Sequence, residues 1–428
     1  MLRSLLGIAP LALALPAALA AQLPPATAPG GQPAGRFAAV DSLADAAPAE
    51  AERSVPELAA YLARAGSDET AKARALYRWI AGHVDYDVRS FLAGGGGDVS
   101  PEAVLRSRIS VCEGYARLAE ALGTAMGLEV RVVPGWSKGY GYTSGQRFEG
   151  PTNHAWNVIR IGGRWRLMDA TWGAGYLDEH RQFVRHFQEY YFLTAPESFV
   201  FDHLPQDAQW QLLDRPVSAS EYADLVYLRP MFFVAGLRVE SHPRARIAVA
   251  ERAQVTLGVT RPVQLAAAVV EAASDRPLEG NLTFVQVSGA DARIDAVFPR
   301  PGDYVLRVFA KPLGEQGPLG WVLDYRVQVA QGAGDAAFPL AYESFGSRGV
   351  TLLEPRSGVL QAGRIYRFRL RAPGALDVAV EVGGQWTHLV ASGDEFAGAV
   401  RVPAGAIVVY ARYEPEGGFT GLLRYGGR

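Results

Sequence analysis

Apolar residues recur at intervals of three and four between positions 112 and 126, which is the spacing of one face of an amphipathic helix. The residues on that face are Tyr115, Leu118, Ala119, Leu122 and Met126. Gly127 follows them and is a typical residue for the end of a helix. The pattern therefore predicts a helix that begins at Cys112, the only cysteine of the chain.

A period of two predicts strands downstream of this helix. Residues 128–133 alternate between apolar and polar, and residues 155–161 and 164–171 form two further strand-like runs. Gly162 and Gly163 join these two runs, and a pair of glycines in that place is typical of a two-residue hairpin turn. We therefore expect the Cys112 helix to be followed by a strand and then by a hairpin.

The hairpin predicts which residues face each other. With the two glycines as the loop, the expected pairs are Ile161 with Arg164, His154 with Thr171, and Trp156 with Asp169. His154 and Asp169 would then be diagonal neighbours, roughly 7 to 8 Å apart at the backbone and within reach of a side-chain hydrogen bond. We expect this face of the hairpin to pack on the Cys112 helix through Val158, Trp165 and Leu167.

After about residue 230 the chain changes to short alternating runs separated by glycine and proline, for example residues 304–309 and 325–329. Many short strands with turns at regular spacing predict all-β sandwiches, and the length fits two of them. The expected organisation is a core domain at 36–234, a β-sandwich at 235–332 and a second β-sandwich at 333–428. The sandwiches are candidate binding sites for a protein partner.

The first twenty residues have the pattern of a secretory signal peptide. Arg3 is followed by an apolar run, and Ala18, Leu19 and Ala20 form an A-x-A cleavage pattern. The run is short for a membrane span and is interrupted by two prolines, so an uncleaved anchor is the less favoured interpretation. We expect cleavage after Ala20, export to the periplasm or the extracellular space, a proline- and glycine-rich linker at 21–35, and no transmembrane span in the mature chain.

Composition narrows the function classes. The 42 Lys and Arg residues nearly balance the 44 Asp and Glu residues, which argues against a nucleic-acid partner. A single cysteine excludes an intrachain disulfide. In an exported protein, a free thiol is retained either for chemistry or as an inert buried side chain.

Cysteine-based acyl transfer needs a thiolate, a base and a group that orients the base. The N-terminus of a helix lowers the pKa of a thiol through its free N–H groups and dipole, and Cys112 lies at such an N-terminus. His154 and Asp169 follow in the expected order. A metal site is less favoured, because the chain has no C-x-x-C or H-E-x-x-H pair at metal-ligand spacing.

The segments CEGYA at 112–116, NHAWN at 153–157 and WRLMDATWG at 165–173 resemble the transglutaminase-like cysteine-peptidase superfamily, in particular its kyphoscoliosis-peptidase-like branch. The resemblance implies a papain-like α+β core in which Cys112 is the nucleophile, His154 the general base and Asp169 its orienting partner. It also implies a peptide or protein substrate and no cofactor. The glutamine that assists the oxyanion in related enzymes has no counterpart upstream of Cys112, which leaves the second oxyanion donor unidentified.

The favoured hypothesis is an exported, cysteine-dependent amide hydrolase that works through a thioester. Two alternatives stay open: an acyltransferase or cross-linking enzyme that uses the same triad, and a non-catalytic scaffold whose β-sandwiches bind a partner. The glycine-rich loop at 135–150 is a candidate wall of the substrate cleft. The aromatic residues expected along that cleft are Trp136, Tyr140, Trp156 and Trp172.

Overall fold

The computed structural model describes residues 35–95, 97–143, 145–178 and 180–428. The predicted signal peptide at 1–20 and residues 21–34 of the predicted linker lie outside the described residues. No helix within the described ranges is long and apolar enough to cross a membrane.

The structure consists of a helical and mixed N-terminal part followed by strands. In chain order the helices are α1 (Ala38–Asp45), α2 (Val55–Leu62), α3 (Glu69–His83), α4 (Val88–Leu92), α5 (Pro101–Ser107), α6 (Cys112–Ala125), α7 (Ala170–Ala174), α8 (Pro196–Phe199), α9 (Ala219–Asp224), α10 (Pro230–Val234) and α11 (Glu343–Ser347). The strands before residue 230 are β1 (Asp85–Tyr86), β2 (Ile109–Ser110), β3 (Val130–Ser137), β4 (His154–Ile161), β5 (Arg164–Met168), β6 (Gly175–Leu177), β7 (Phe183–Arg185), β8 (Phe192–Thr194), β9 (His203–Pro205) and β10 (Tyr227–Leu228).

Two long helices form the centre of the N-terminal core. The Asp68 side chain caps α3 by accepting hydrogen bonds from the N–H groups of Thr70 and Ala71 at 3.3 and 3.2 Å. The predicted apolar face of α6 is buried, and the Tyr115 hydroxyl donates to the Val84 carbonyl, just beyond α3, at 2.6 Å. The predicted helix at Cys112 is therefore confirmed.

The core sheet has the strand order β8-β5-β4-β3-β9 and is antiparallel. The predicted hairpin register is confirmed from Ile161 opposite Arg164 to Asn157 opposite Met168. Beyond that point the prediction is wrong, because β5 ends at Met168 and the pairs expected for Thr171 and Asp169 do not form. Asp169 caps α7 with its side chain, and this turns the chain out of the sheet.

The expected packing of the hairpin on α6 is also wrong. The Asn157 amide donates to the Ala116 carbonyl of α6 at 2.9 Å, so the face of β4 that carries Asn157 covers this helix. Neighbouring residues of a strand point to opposite faces. The Trp156 ring accordingly lies 5.9 Å from Phe199, and Trp165 on β5 lies 5.2 Å from Trp210, both on the side of the sheet away from α6.

Two β-sandwiches follow, as the alternating pattern predicts. Their strands are β11 (Leu237–Val239), β12 (Arg246–Val249), β13 (Arg252–Val259), β14 (Val263–Glu271), β15 (Thr283–Ser288), β16 (Asp291–Val297), β17 (Gly302–Pro312), β18 (Gly320–Val329), β19 (Leu340–Ala341), β20 (Thr351–Glu354), β21 (Val359–Leu360), β22 (Ile365–Arg371), β23 (Asp377–Val382), β24 (Gln385–His388), β25 (Val390–Ser392), β26 (Glu395–Arg401), β27 (Gly405–Arg412) and β28 (Thr420–Gly427).

Each sandwich consists of two sheets. In the first, β10-β18-β17-β14 with β12 beside β18 faces β11-β13-β16-β15. In the second, β19-β28-β27-β23-β24 with β21 beside β28 faces β20-β22-β26-β25. The boundaries at 234/235 and 332/333 stay predictions. β10 lies before the first of these boundaries and yet pairs with β18, with Tyr227 opposite Asp324. A strand from the predicted core segment is therefore part of a sheet of the first sandwich.

Candidate active site

Cys112 is the first residue of α6. Val111 precedes the helix in an extended conformation, and no side chain caps this helix end. The first turn of a helix leaves backbone N–H groups without intrahelical partners, and these groups favour negative charge beside them. Gly114 lets the turn approach the preceding strand, because a Cβ at this position would lie 2.0 Å from Ser110 Oγ. The local sequence thus places the partly exposed thiol at a helix end that stabilises a thiolate.

His154 and Asp169 form a buried pair. His154 is the first residue of β4, and its Nε2 lies 2.7 Å from Asp169 Oδ2. Asp169 Oδ1 accepts the N–H groups of Thr171 and Trp172 at 2.8 and 3.1 Å, which fixes the carboxylate. The hydrogen bond expected between the two residues is therefore present, although capping of α7, and not strand pairing, positions Asp169.

Cys112 completes the group by contacting the His154 ring and the Ala155 N–H. Because Nε2 of His154 is directed at Asp169, Nδ1 is the nitrogen left for the thiol. Burial alone would raise the pKa of Cys112, but the hydrogen bond and charge of His154 outweigh it and lower that pKa. Burial would likewise lower the pKa of His154, whereas Asp169 and Cys112 raise it. These directions favour a thiolate beside an imidazolium.

A second histidine, which the sequence analysis did not single out, contacts the same carboxylate. His203 on β9 is fully buried, with Nε2 3.1 Å from Asp169 Oδ2 and Nδ1 2.7 Å from Asp202 Oδ1. The Tyr191 hydroxyl donates to the other oxygen of Asp202 at 3.1 Å. The adjacent Asp and His at 202 and 203 were the available signal, but only the tertiary fold brings them to Asp169.

His154, Asp169 and His203 also offer ligand atoms within 4.8 Å of one another, as a metal site would require. In this arrangement both imidazoles instead face one oxygen of Asp169 as hydrogen-bond donors. Burial would raise the pKa of Asp169, but His154 and His203 lower it well below its usual range. The three side chains thus form a hydrogen-bonded chain.

A cavity of about 600 Å³ opens at His154. Tyr140 and Trp172 lie in its wall, as expected for a cleft, and the Trp172 ring stacks on His154 at 5.3 Å. Trp156 is only 1% exposed and is not part of the wall, so its predicted cleft role is wrong. Trp136 also lies outside the lining and donates from Nε1 to the Pro151 carbonyl at 3.2 Å.

Lys138 lies in the wall of this cavity, and its side chain is buried. Its Nζ donates to the Leu225 carbonyl at 3.0 Å and lies 4.6 Å from the centre of the Tyr222 ring. Burial lowers the pKa of Lys138 to about 7. This side chain ties the loop after β3 to the segment that leads into the first sandwich.

Matches to known families agree with this architecture. Residues 56–170 match the transglutaminase-like superfamily core, and residues 219–340 match the KY-like, immunoglobulin-like domain. The chain therefore contains a transglutaminase-like domain followed by a KY-like immunoglobulin-like domain.

Among curated proteins, the chain is homologous to kyphoscoliosis peptidase of Homo sapiens. The two are 31% identical over 281 residues, which make up 65% of this chain and 41% of the relative. Hillarin of Drosophila melanogaster is 30% identical over 219 residues, 47% of this chain and 26% of the relative. The chain thus spans about two fifths of the length of the human relative.

Proposed function

We propose that this protein is an exported, cysteine-dependent amide hydrolase of the peptidase kind. The observation that carries the proposal is the contact series from Cys112 to His154 to Asp169, which starts at a helix N-terminus and borders a cavity at His154. Homology to a protein named kyphoscoliosis peptidase supports the same reaction class.

In the proposed reaction the Cys112 thiolate attacks the carbonyl carbon of an amide. The C–S bond forms, and as the C–N bond breaks, the leaving nitrogen takes its proton from the His154 imidazolium. The free N–H groups in the first turn of α6 are the available donors to the oxyanion. Water then attacks the thioester while His154 accepts its proton, and the C–S bond breaks to release a carboxylic acid.

Transamidation would use the same thioester and differs only in the second step, where an amine replaces water. The two outcomes separate when the protein is incubated with a peptide library and a fluorescent primary amine. Hydrolysis produces new amino termini without labelled peptides, whereas transamidation attaches the amine. We expect hydrolysis to exceed amine incorporation; the reverse would assign a transferase.

The thiol dependence is tested with Cys112→Ala. We expect this variant to melt at the wild-type temperature and to lose all amide cleavage, because the nucleophile is removed without changing the buried core. Cleavage that persists in Cys112→Ala would overturn the proposal. Loss of cleavage together with unfolding would be resolved by Cys112→Ser, which replaces the thiol with a hydroxyl of similar size and forms no thiolate.

Export is the further element of the proposal, and it is supported by the sequence of residues 1–20. Expression of the full chain in a secreting host, followed by mass spectrometry of the exported fraction, tests it. We expect an intact mass that corresponds to a chain beginning at Ala21. Retention of residues 1–20 in a cytosolic product would contradict it.

A further inference from the structure

The cavity at His154 is built by two domains. One wall belongs to the transglutaminase-like core and includes Tyr140 and Trp172. Another part of the wall contains residues 227–230 and Trp321, which belong to the match with the immunoglobulin-like domain. The cavity next to His154 is therefore lined by residues of both domains.

Backbone pairing positions the sandwich wall. β10 pairs with β18 through Tyr227 and Leu228, and the Arg229 N–H donates to the Val322 carbonyl at 2.9 Å. The Arg229 guanidinium contacts Trp321, with Cζ 3.5 Å from the centre of the ring. Backbone pairing and this stacking contact together restrict where the guanidinium can point.

The Arg229 guanidinium has no hydrogen-bond acceptor among the described residues. Its Nε is buried without any acceptor, and no ion pair of its side chain occurs within the described ranges. The Asp324 carboxylate interacts electrostatically with Arg229. Arg307 already holds that carboxylate, through Nε and Nη2 at 3.0 Å each. An unused planar set of N–H donors beside a cavity is the arrangement that binds a carboxylate.

The other charged residues of the cavity wall are already paired. Lys138 Nζ donates to the Leu225 carbonyl, and Asp202 accepts from His203 and Tyr191. His154 is directed at Asp169. Among the described residues of this wall, Arg229 is thus the charged group left for a ligand.

We infer that Arg229 forms a subsite for a carboxylate of the bound peptide, and that the immunoglobulin-like domain thereby contributes to substrate selection. This inference rests on the proposed function and adds a substrate class to it. The carboxylate has two possible sources, an aspartate or glutamate side chain or the C-terminus of the peptide. Both present the same two-oxygen acceptor to the guanidinium.

Equilibrium binding to Cys112→Ser protein tests the subsite separately from the chemistry. The probes are fluorescein-labelled hexapeptide pools in matched pairs, with either Glu or Gln fixed at one position in turn, and with either a free or an amidated C-terminus. Fluorescence polarisation at low salt gives the affinity of each pool. We expect one carboxylate member to bind about tenfold more tightly than its neutral partner, as a charge-assisted bidentate contact would give.

Two substitutions are compared in that background. Arg229→Gln should reduce the preference to near unity, whereas Arg326→Gln on the same sandwich should leave it unchanged, because Arg326 does not line this cavity. Arg229→Glu should reverse the charge of the subsite. Peptide pools that carry Lys should then bind more tightly than those that carry Gln. This gain of preference distinguishes loss of the subsite from a folding defect.

Equal affinity for every matched pair, or a preference that survives Arg229→Gln, would overturn the inference. A preference at the Glu pools assigns a side-chain carboxylate, and a preference at the free C-terminus assigns a terminal one. Because Cys112→Ser forms no thioester, these results do not depend on amide cleavage. Failure of cleavage in the unmodified protein would contradict the proposed function alone.

Discussion

The two walls of the cavity hold their charges in opposite ways. Behind the core wall, the buried Asp169 carboxylate accepts four hydrogen bonds, from His154, His203, Thr171 and Trp172. On the sandwich wall, the Arg229 guanidinium donates no hydrogen bond to a side chain within the described residues. A fully bonded carboxylate is suited to holding a base in place, whereas an open guanidinium is suited to meeting a ligand. The comparison separates groups that prepare the reaction from a group that selects what reacts.

Loss of the Asp169 charge should reduce the rate of amide cleavage more than any other change considered below. In Asp169→Asn the His154 imidazolium loses its anionic partner, so we expect amide cleavage to fall by roughly 10³- to 10⁴-fold. Initial cleavage rates of a peptide substrate at pH 7 give this number. Asp68→Asn is the matched control, because Asp68 also caps a helix and asparagine caps equally well. A similar loss in both variants would show that the effect does not depend on the charge next to His154.

Removal of His203 tests whether a residue outside the triad helps to position Asp169. His203→Phe takes one donor from Asp169 and leaves Asp202 without its imidazole partner in a buried place. We expect the free energy of unfolding to fall by ~2–4 kcal/mol and cleavage to fall by about tenfold. Chemical denaturation and cleavage rates measure the two effects.

His203→Gln is the matched control for this prediction. Its amide can still donate to Asp169, so it should recover part of the cleavage rate. If His203→Phe cleaves at the wild-type rate, His203 has no part in positioning Asp169.

The buried Lys138 should produce a smaller, pH-dependent effect. Burial lowers its pKa to about 7 in the folded protein, against about 10.4 for an exposed lysine. Between these values the unfolded chain binds a proton that the folded chain does not, so the free energy of unfolding should rise with pH in this window by at most ~1.4 kcal/mol per pH unit.

Lys138→Met removes this contribution. The difference in the free energy of unfolding between wild type and variant, measured by urea denaturation at pH 7, 8 and 9, should therefore shift in favour of the wild type as the pH rises. Parallel pH profiles would show that Lys138 titrates as an exposed lysine does.

Local patterns in the sequence were sufficient for the features that depend on neighbouring residues. The three- and four-residue spacing placed Cys112 at the start of α6, and Gly162 with Gly163 gave the hairpin register as far as Met168. The contact between His154 and Asp169 was also predicted, although for a different reason. A strand pattern did not reveal that Asp169 would leave the sheet and cap α7.

Features that depend on distant segments could not be predicted in this way. Trp156 matches a cleft aromatic by type, but the 199–203 segment covers it and makes it part of the core. His203 reaches Asp169 only because β9 pairs with β3. Arg229 faces the cavity only because β10 joins the sheet of the first sandwich. Each of these contacts joins residues at least 34 positions apart in the chain, or depends on two strands that are at least as far apart.

The central claim is that Cys112 and His154 form a working thiolate and imidazolium pair. The most direct test is the rate of Cys112 alkylation by iodoacetamide as a function of pH, in the wild type and in His154→Ala. The account predicts a reactive thiolate that persists well below the free-cysteine pKa of about 8.5, and a profile that shifts to higher pH in the variant. A wild-type profile that follows an ordinary thiol, and that His154→Ala leaves unchanged, would contradict it.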